Sequence, residues 1–209
     1  MMKFTVVAAL AIFSLLVAGT QVFAVPVGVA KTMDNLKAAI TGETTASAKY
    51  AAYAKKAREE GYENVAKLFE AASKSEAVHA ANHRASMDQL GEKMGDVTPK
   101  FEVKSTLENL EDAIKGESYE VATMYPEFLK VSSSEKANIA TISFNYAYLT
   151  EQKHKALYQN ALIALKAGKQ NTLPQKYYVC LNCGNTYDSE AAARCAICLT
   201  PKDRFVTVG

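Results

Sequence analysis

Ser75-Glu76-Ala77-Val78-His79 and Thr150-Glu151-Gln152-Lys153-His154 decide the reading of this chain, because each sets a Glu-x-x-His step inside an apolar helical pattern. Glu and His three residues apart lie about 60° from each other around a helix of about 3.6 residues per turn, so both can reach one point beside it. Around the first pair, Val65, Phe69, Ala72, Glu76, His79, His83 and Leu90 recur at the spacing of a buried helix face. Around the second, Ala140, Phe144, Ala147, Glu151, His154, Tyr158 and Leu165 do the same.

Two more helices are predicted from Leu36, Ile40, Glu43, Ser47, Tyr50, Ala54 and Ala57, and from Leu107, Leu110, Ile114, Glu117, Val121, Met124 and Phe128. Glu43 and Glu117 stand where core residues belong, and Glu120 lies at the stripe's edge. A lone desolvated carboxylate takes up a proton or costs several kcal/mol, and the nearby Lys74, Lys115 and Lys153 lie off the stripes. Glu43, Glu76, His79, Glu117, Glu120, Glu151 and His154 therefore read as ligands of a pair of iron or manganese ions. An ordinary bundle with surface acids is the alternative.

The pattern repeats. Ile40-Thr41-Gly42-Glu43 is echoed by Ile114-Lys115-Gly116-Glu117, and each is followed 33 or 34 residues later by a Glu-x-x-His. The chain reads as a duplicated helical hairpin, imperfect where Glu120 in the second half corresponds to Ala46 in the first. His83 reads as packed core or as support behind the ligands.

Cys180-Leu181-Asn182-Cys183 and Cys195-Ala196-Ile197-Cys198, separated by eleven residues, hold the only four cysteines. Two C-x-x-C knuckles on a short ribbon can place four thiolates around one ion, and a segment of this size needs such a staple. Spacing alone leaves iron and zinc both open. Two disulfides are the competing reading, because Met1-Met2-Lys3 followed by an uncharged stretch from Phe4 to Ala30, with Val22-Phe23-Ala24, reads as a signal peptide over residues 1–24. An uncleaved membrane anchor is the alternative for that leader.

The expected organisation is a four-helix bundle over 31–168, a linker over 169–175 and a four-cysteine ribbon over 176–209. Gly61-Tyr62 joins the first two helices, Gly91 to Pro99 makes the longer crossover, and Ser132-Ser133-Ser134 with Glu135 reads as the stop of the third helix and the cap of the fourth. With 24 basic and 22 acidic residues and no basic block, nucleic acid is not an expected partner.

From about residue 31 to the end, these motifs resemble the rubrerythrin family, an all-α ferritin-like bundle followed by a rubredoxin-like metal ribbon. The resemblance implies a non-haem di-iron peroxidase that reduces hydrogen peroxide to water in oxidative-stress protection, with electrons passed from a mononuclear iron on Cys180, Cys183, Cys195 and Cys198. It implies that Glu76 and Glu151 bridge the irons, that Glu43 and Glu117 are terminal ligands on opposite ions, and that His154 serves the Glu117 side. Glu120 and His79 would exchange on the other ion with redox state. Tyr50 and Tyr125 match family tyrosines close to the pocket. The resemblance also implies a homodimer in which one subunit's ribbon lies near another's di-iron site, the two centres of one chain being far apart.

The ribbon departs from the family pattern at Asn185, where an aromatic residue often follows Gly, at Ala196, where Pro is usual, and in a slightly short spacer. None of these positions is expected to touch a ligand, while Tyr178, Tyr187 and Phe205 are expected to shield the sulfurs. Rival functions are a ferroxidase or iron-handling protein and a metal-binding module with a zinc ribbon. The leader has a single basic residue, Lys3, and no twin arginine. Export unfolded, to the periplasm or another extracytoplasmic space, and an unidentified extracytoplasmic electron donor are the expectations. Membrane contact is expected only through an uncleaved leader.

Overall fold

The computed structural model describes residues 28–190 and 193–209; the leader lies outside the described residues. Helix α1, Ala30–Glu59, turns at Gly61, whose φ of +81° only glycine adopts readily, into α2, Glu63–Gln89. A crossover without helix or strand then runs to Ser105, further than Pro99, and is tied down by Arg84, whose Nη1 donates to the carbonyls of Met94 and Gly95. Ser105 starts α3, Thr106–Tyr119, with a reciprocal capping box to Glu108.

The third rod of the bundle is not a single α-helix. After α3 comes a π-helical turn, Glu120–Met124, and then α4, Tyr125–Ser134. Pro126 supplies the cause: it has no N–H for the carbonyl of Ala122 and its ring crowds that carbonyl, so the turn widens by one residue. Val121, expected in the core, is consequently only half-buried, whereas Tyr125 and Phe128 are buried.

Helix α5, Asn138–Lys166, completes the bundle. Its start has no side-chain cap, contrary to the reading of the serine run. Glu135 instead accepts from the backbone N–H groups of Lys31 and Thr32, at 3.3 and 2.8 Å, at the start of α1. A carboxylate satisfies unpaired amides and favours the positive end of a helix wherever the tertiary fold delivers it. Among the described residues, no helix is long and apolar enough to cross a membrane.

The ribbon is a three-stranded antiparallel sheet in the order β2-β1-β3, with β1 Tyr177–Cys180, β2 Thr186–Tyr187 and β3 Phe205–Val208. Tyr178 pairs with Tyr187, and Cys180 with Phe205. Two apolar clusters fill the bundle. One contains Leu36, Ile40, Tyr125, Phe128 and Phe144; the other contains Tyr50, Tyr53, Phe69 and Tyr158. The second also takes in Tyr177, Val179 and Val208, so the ribbon is packed onto its own bundle. At about 1.5–3 kcal/mol per fully buried large apolar side chain, this shared core holds the two parts together.

Candidate dimetal and four-cysteine sites

Six side chains converge where the stripes predict: Glu43 from α1, Glu76 and His79 from α2, Glu117 from α3, and Glu151 and His154 from α5, none more than 1% exposed. Their donor atoms form two overlapping groups, Glu43 with Glu76, His79 and Glu151, and Glu117 with Glu76, Glu151 and His154. Within each group the atoms lie within 4.8 Å of one another. Glu76 and Glu151 belong to both groups, which is the position of a shared bridge.

His79 Nδ1 stands 2.8 Å from Glu76 Oε2 and 2.8 Å from Glu151 Oε1; His154 Nδ1 stands 2.8 Å from Glu151 Oε2 and 3.0 Å from Glu76 Oε1. Each imidazole thus turns Nδ1 into the pocket and Nε2 outward. Glu43 Oε2 and Glu117 Oε2 are buried without a hydrogen-bond partner, and each imidazole Nδ1, with one hydrogen at most, faces two carboxylate oxygens, so Glu76 and Glu151 are not fully paired either. Unpaired carboxylate oxygens cost too much in a dry core unless cations meet them, and oxygen with imidazole is a donor set that iron or manganese accepts. The residues fit a dinuclear centre.

The electrostatics agree. Burial, then Glu120, Glu76 and Glu151, push the Glu43 carboxyl well above its usual range; burial, then Glu151, Glu120 and Glu76, do the same to Glu117. Burial alone would lower His79 and His154, but the carboxylates overcome it, holding His79 well above 6.5 and His154 at about 9. Burial also opposes ionisation of Glu151, yet His79 and His154 bring its pKa down. Glu120 is half-buried at the start of the π turn and lies outside both donor groups. In this arrangement His79, not Glu120, completes the Glu43 side.

Tyr50 and Tyr125 both reach the pocket. The Tyr50 phenol donates to Glu117 Oε1 at 2.8 Å, and the Tyr125 phenol donates to Glu43 Oε1. Behind Tyr125, His83 places Nε2 3.1 Å from its hydroxyl and Nδ1 2.7 Å from Ser143 Oγ. Burial and then His79 push His83 down to about 3, so it is a neutral support rather than a member of either donor group.

The four cysteines form one cluster with no disulfide. Cys180 and Cys198 sulfurs are 3.6 Å apart and those of Cys183 and Cys195 3.5 Å. A tetrahedron with metal–sulfur bonds of about 2.3 Å has edges of about 3.8 Å, so a single ion fits with little movement. Tyr187 stacks on Phe205 at 5.6 Å beside it. Asn185 Nδ2 lies 3.4 Å from Cys195 Sγ, so one departure from the family pattern does touch a sulfur, contrary to expectation.

The ribbon sits directly over the dimetal pocket of its own chain, which overturns the expectation that the two centres of one chain are far apart. His79 Nε2 is 3.1 Å from the Cys183 carbonyl oxygen, and His154 Nε2 is 2.9 Å from Thr186 Oγ1. Ser75 donates to the Gly184 carbonyl at 2.7 Å and Asn82 to that of Asn182 at 2.9 Å. Gly184, at φ +81°, is packed so closely that a Cβ would run into His79 Nε2 and lie 2.8 Å from Ser75 Oγ. Tyr146 packs against the buried cysteines and Lys153 donates to Asn185 Oδ1; with Ser75, Asn82 and Thr186 they carry this docking, and none was singled out in the sequence as a site residue. Ser75, His79 and Asn82 do share one face of α2 by spacing, but nothing in their residue types marks a ribbon contact.

A bundle with two single Glu ligands and two Glu-x-x-His steps, joined to a four-thiolate ribbon, defines a ferritin-like dimetal protein with a rubredoxin-like domain. The model of the Rubrerythrin family matches residues 34–162, and the chain belongs to that family. It is 37% identical over 180 residues to nigerythrin of Nitratidesulfovibrio vulgaris, covering 85% of this chain and 86% of that one. Rubrerythrin-2 of Clostridium acetobutylicum is 33% identical over 177 residues, covering 84% of this chain and 96% of the relative. A structure of fully reduced, all-ferrous nigerythrin superposes with a TM-score of 0.74 at 37% identity, covering 84% of this chain and 86% of that one. A bacterioferritin of Desulfovibrio desulfuricans, at 22% identity and a TM-score of 0.57 over 68% of this chain and 84% of its own, shares the fold.

Proposed function

We propose that the chain is a peroxidase that reduces hydrogen peroxide to water at a di-iron centre, with electrons passed from a rubredoxin-type iron on the four cysteines. One observation carries this reading. The imidazole whose Nδ1 faces the bridging carboxylates points its Nε2 at the carbonyl of Cys183, one of the four thiolate residues. A storage or ferroxidase role needs no reductant centre, and a purely structural ribbon needs no contact with a donor histidine.

The cofactors are a di-iron centre and one iron held by four cysteines, both in keeping with the family. Glu43, Glu76, His79 and Glu151 would hold one iron of the pair, and Glu117, Glu76, Glu151 and His154 the other. When bound, the ferrous pair supplies the two electrons that cleaving the O–O bond requires. The protein's own groups do the rest. Tyr50 and Tyr125 hold phenolic protons on the two terminal carboxylates, and the aromatic clusters on either side exclude water. Glu120, one helical turn beyond Glu117, is the carboxylate available to exchange with His79.

Stopped-flow mixing of the anaerobically reduced, iron-loaded chain with peroxide and, separately, with dioxygen tests the reading. Fast oxidation by peroxide and slow oxidation by dioxygen are expected. Preference for dioxygen would move the assignment to a ferroxidase, and zinc in the ribbon would make that part structural.

The apolar leader supports an exported protein, periplasmic or otherwise extracytoplasmic, with an electron donor outside the cytoplasm. Recovery of the chain from the cytoplasm with Met1 retained would sink that proposal. A homodimer is proposed on the family resemblance alone; the docked ribbon means that a second subunit is not needed to bring the centres together.

A further inference from the structure

Asn185 is fully buried between the ribbon and α5. A buried amide is destabilising if its polar ends are unpaired, so the partners it finds explain why it can stand there. Its Oδ1 accepts from Lys153 Nζ at 2.6 Å, and its Nδ2 donates to Cys195 Sγ at 3.4 Å. The same ammonium lies 4.6 Å from the centroid of the Tyr187 ring, whose hydroxyl is 3.7 Å from Cys195 Sγ and accepts from the Ala196 N–H at 2.8 Å. One cation of the bundle therefore reaches one ribbon sulfur along two polar paths.

We propose that Lys153 and Asn185 form a relay that sets the reduction potential of the metal on the four cysteines, and that it operates only while the ribbon is seated on the bundle. Reduction adds one negative charge to a thiolate-bound iron. A hydrogen bond to a sulfur, polarised from behind by an ammonium, favours that more negative state and raises the potential. The ammonium belongs to α5, one residue before His154, which grips Thr186 next to Asn185. Seating the ribbon and engaging the cation are thus the same event. The ribbon accepts an electron most readily in the position from which His79 and His154 are adjacent. Lys153 is a positioning residue in this scheme, acting through Asn185.

The inference rests on the ribbon holding iron. Redox titration of the iron-loaded full chain, followed by the visible absorption of the four-cysteine iron, tests it in wild type, Lys153→Met, Lys153→Arg and Asn185→Leu. Lys153→Met and Asn185→Leu are expected to shift the one-electron equilibrium about tenfold toward the oxidised form, a fall of about 59 mV, and Lys153→Arg to stay near wild type. Adding Lys153→Met to Gly184→Ala, which pushes the ribbon away from His79, should produce no further fall. Unchanged midpoints in Lys153→Met and Asn185→Leu, with the iron spectrum intact, overturn the relay alone. Absence of iron from the four cysteines overturns both the relay and the peroxidase reading.

Discussion

The two hairpins of the bundle do the same work with different backbones. In the first, Tyr50 follows Glu43 by seven positions along an unbroken α1; in the second, Tyr125 follows Glu117 by eight across the π turn. Both tyrosines nevertheless end in the core, and each phenol crosses to the terminal carboxylate of the other half, Tyr50 to Glu117 and Tyr125 to Glu43. The same extra residue makes the second Glu to Glu-x-x-His interval 34 rather than 33. A helix can therefore take on one residue without losing the register of its buried face. The widened turn absorbs the insertion locally.

The largest expected effect comes from overloading this turn. One alanine inserted after exposed Thr123 gives it a second extra residue, and everything after it rotates by about 100°. Tyr125 and Phe128 then leave the core, and denaturant melts should show a loss of about 3 kcal/mol or more. Deleting Thr123 instead should leave both in place, because Tyr125 then follows Glu117 by the seven positions that set Tyr50 after Glu43. Unchanged stability on insertion would mean that the π turn is not what keeps the halves in register.

The ribbon offers a way to act on one half at a time. Gly184→Ala collides with His79 of the first half, whereas Thr186→Val removes the partner of His154 in the second, together with a bond inside the ribbon to the Gly184 carbonyl. Gly184→Ala is expected to unseat the ribbon and speed proteolysis of the 169–175 linker, while Thr186→Val leaves it seated. Equal cleavage of both variants would show that the two halves hold the ribbon alike.

Proton linkage should treat the halves together. His154 rises from 6.5 in the unfolded chain to about 9 in the fold, so its contribution is complete below pH 6.5 and is lost as pH climbs through about 9. His79, Glu43 and Glu117 are raised as well and act with the same sign. Thermal melts of metal-stripped protein should therefore fall as pH rises across this window. Metal loading, which needs deprotonated ligands, should remove that fall. A flat profile in the stripped protein would contradict the assigned contacts.

Smallest is the comparison of Tyr125→Phe with Tyr50→Phe. Each removes a buried hydrogen bond at a cost of about 1–3 kcal/mol, but Tyr125→Phe also strands His83 Nε2 and should be the more destabilising of the two. The reverse order in urea melts would show that His83 finds another partner.

Much of this was legible beforehand because a helix face is periodic. Once Glu76-x-x-His79 and Glu151-x-x-His154 are placed on apolar stripes, Glu43 and Glu117 follow from the repeat and are buried with them, whereas Glu120, read as a seventh ligand, stands half-buried outside both donor groups. The π turn was not legible from periodicity, which assumes a constant turn, although Pro126 inside the third helix was its visible cause. Glu135 is a similar case: its type fits a helix start, but only the fold decides that the start is that of α1.

The sequence by itself determined the four-helix bundle, the six acids and histidines that share the pocket, and the clustering of the cysteines, because those depend on local geometry, spacing and the cost of burying charge. Only the tertiary structure decided which tyrosine serves which half, and that the ribbon covers its own chain's site through His79, Lys153 and His154. Those contacts join residues far apart in the chain through single hydrogen bonds, and such pairings leave no period in a sequence.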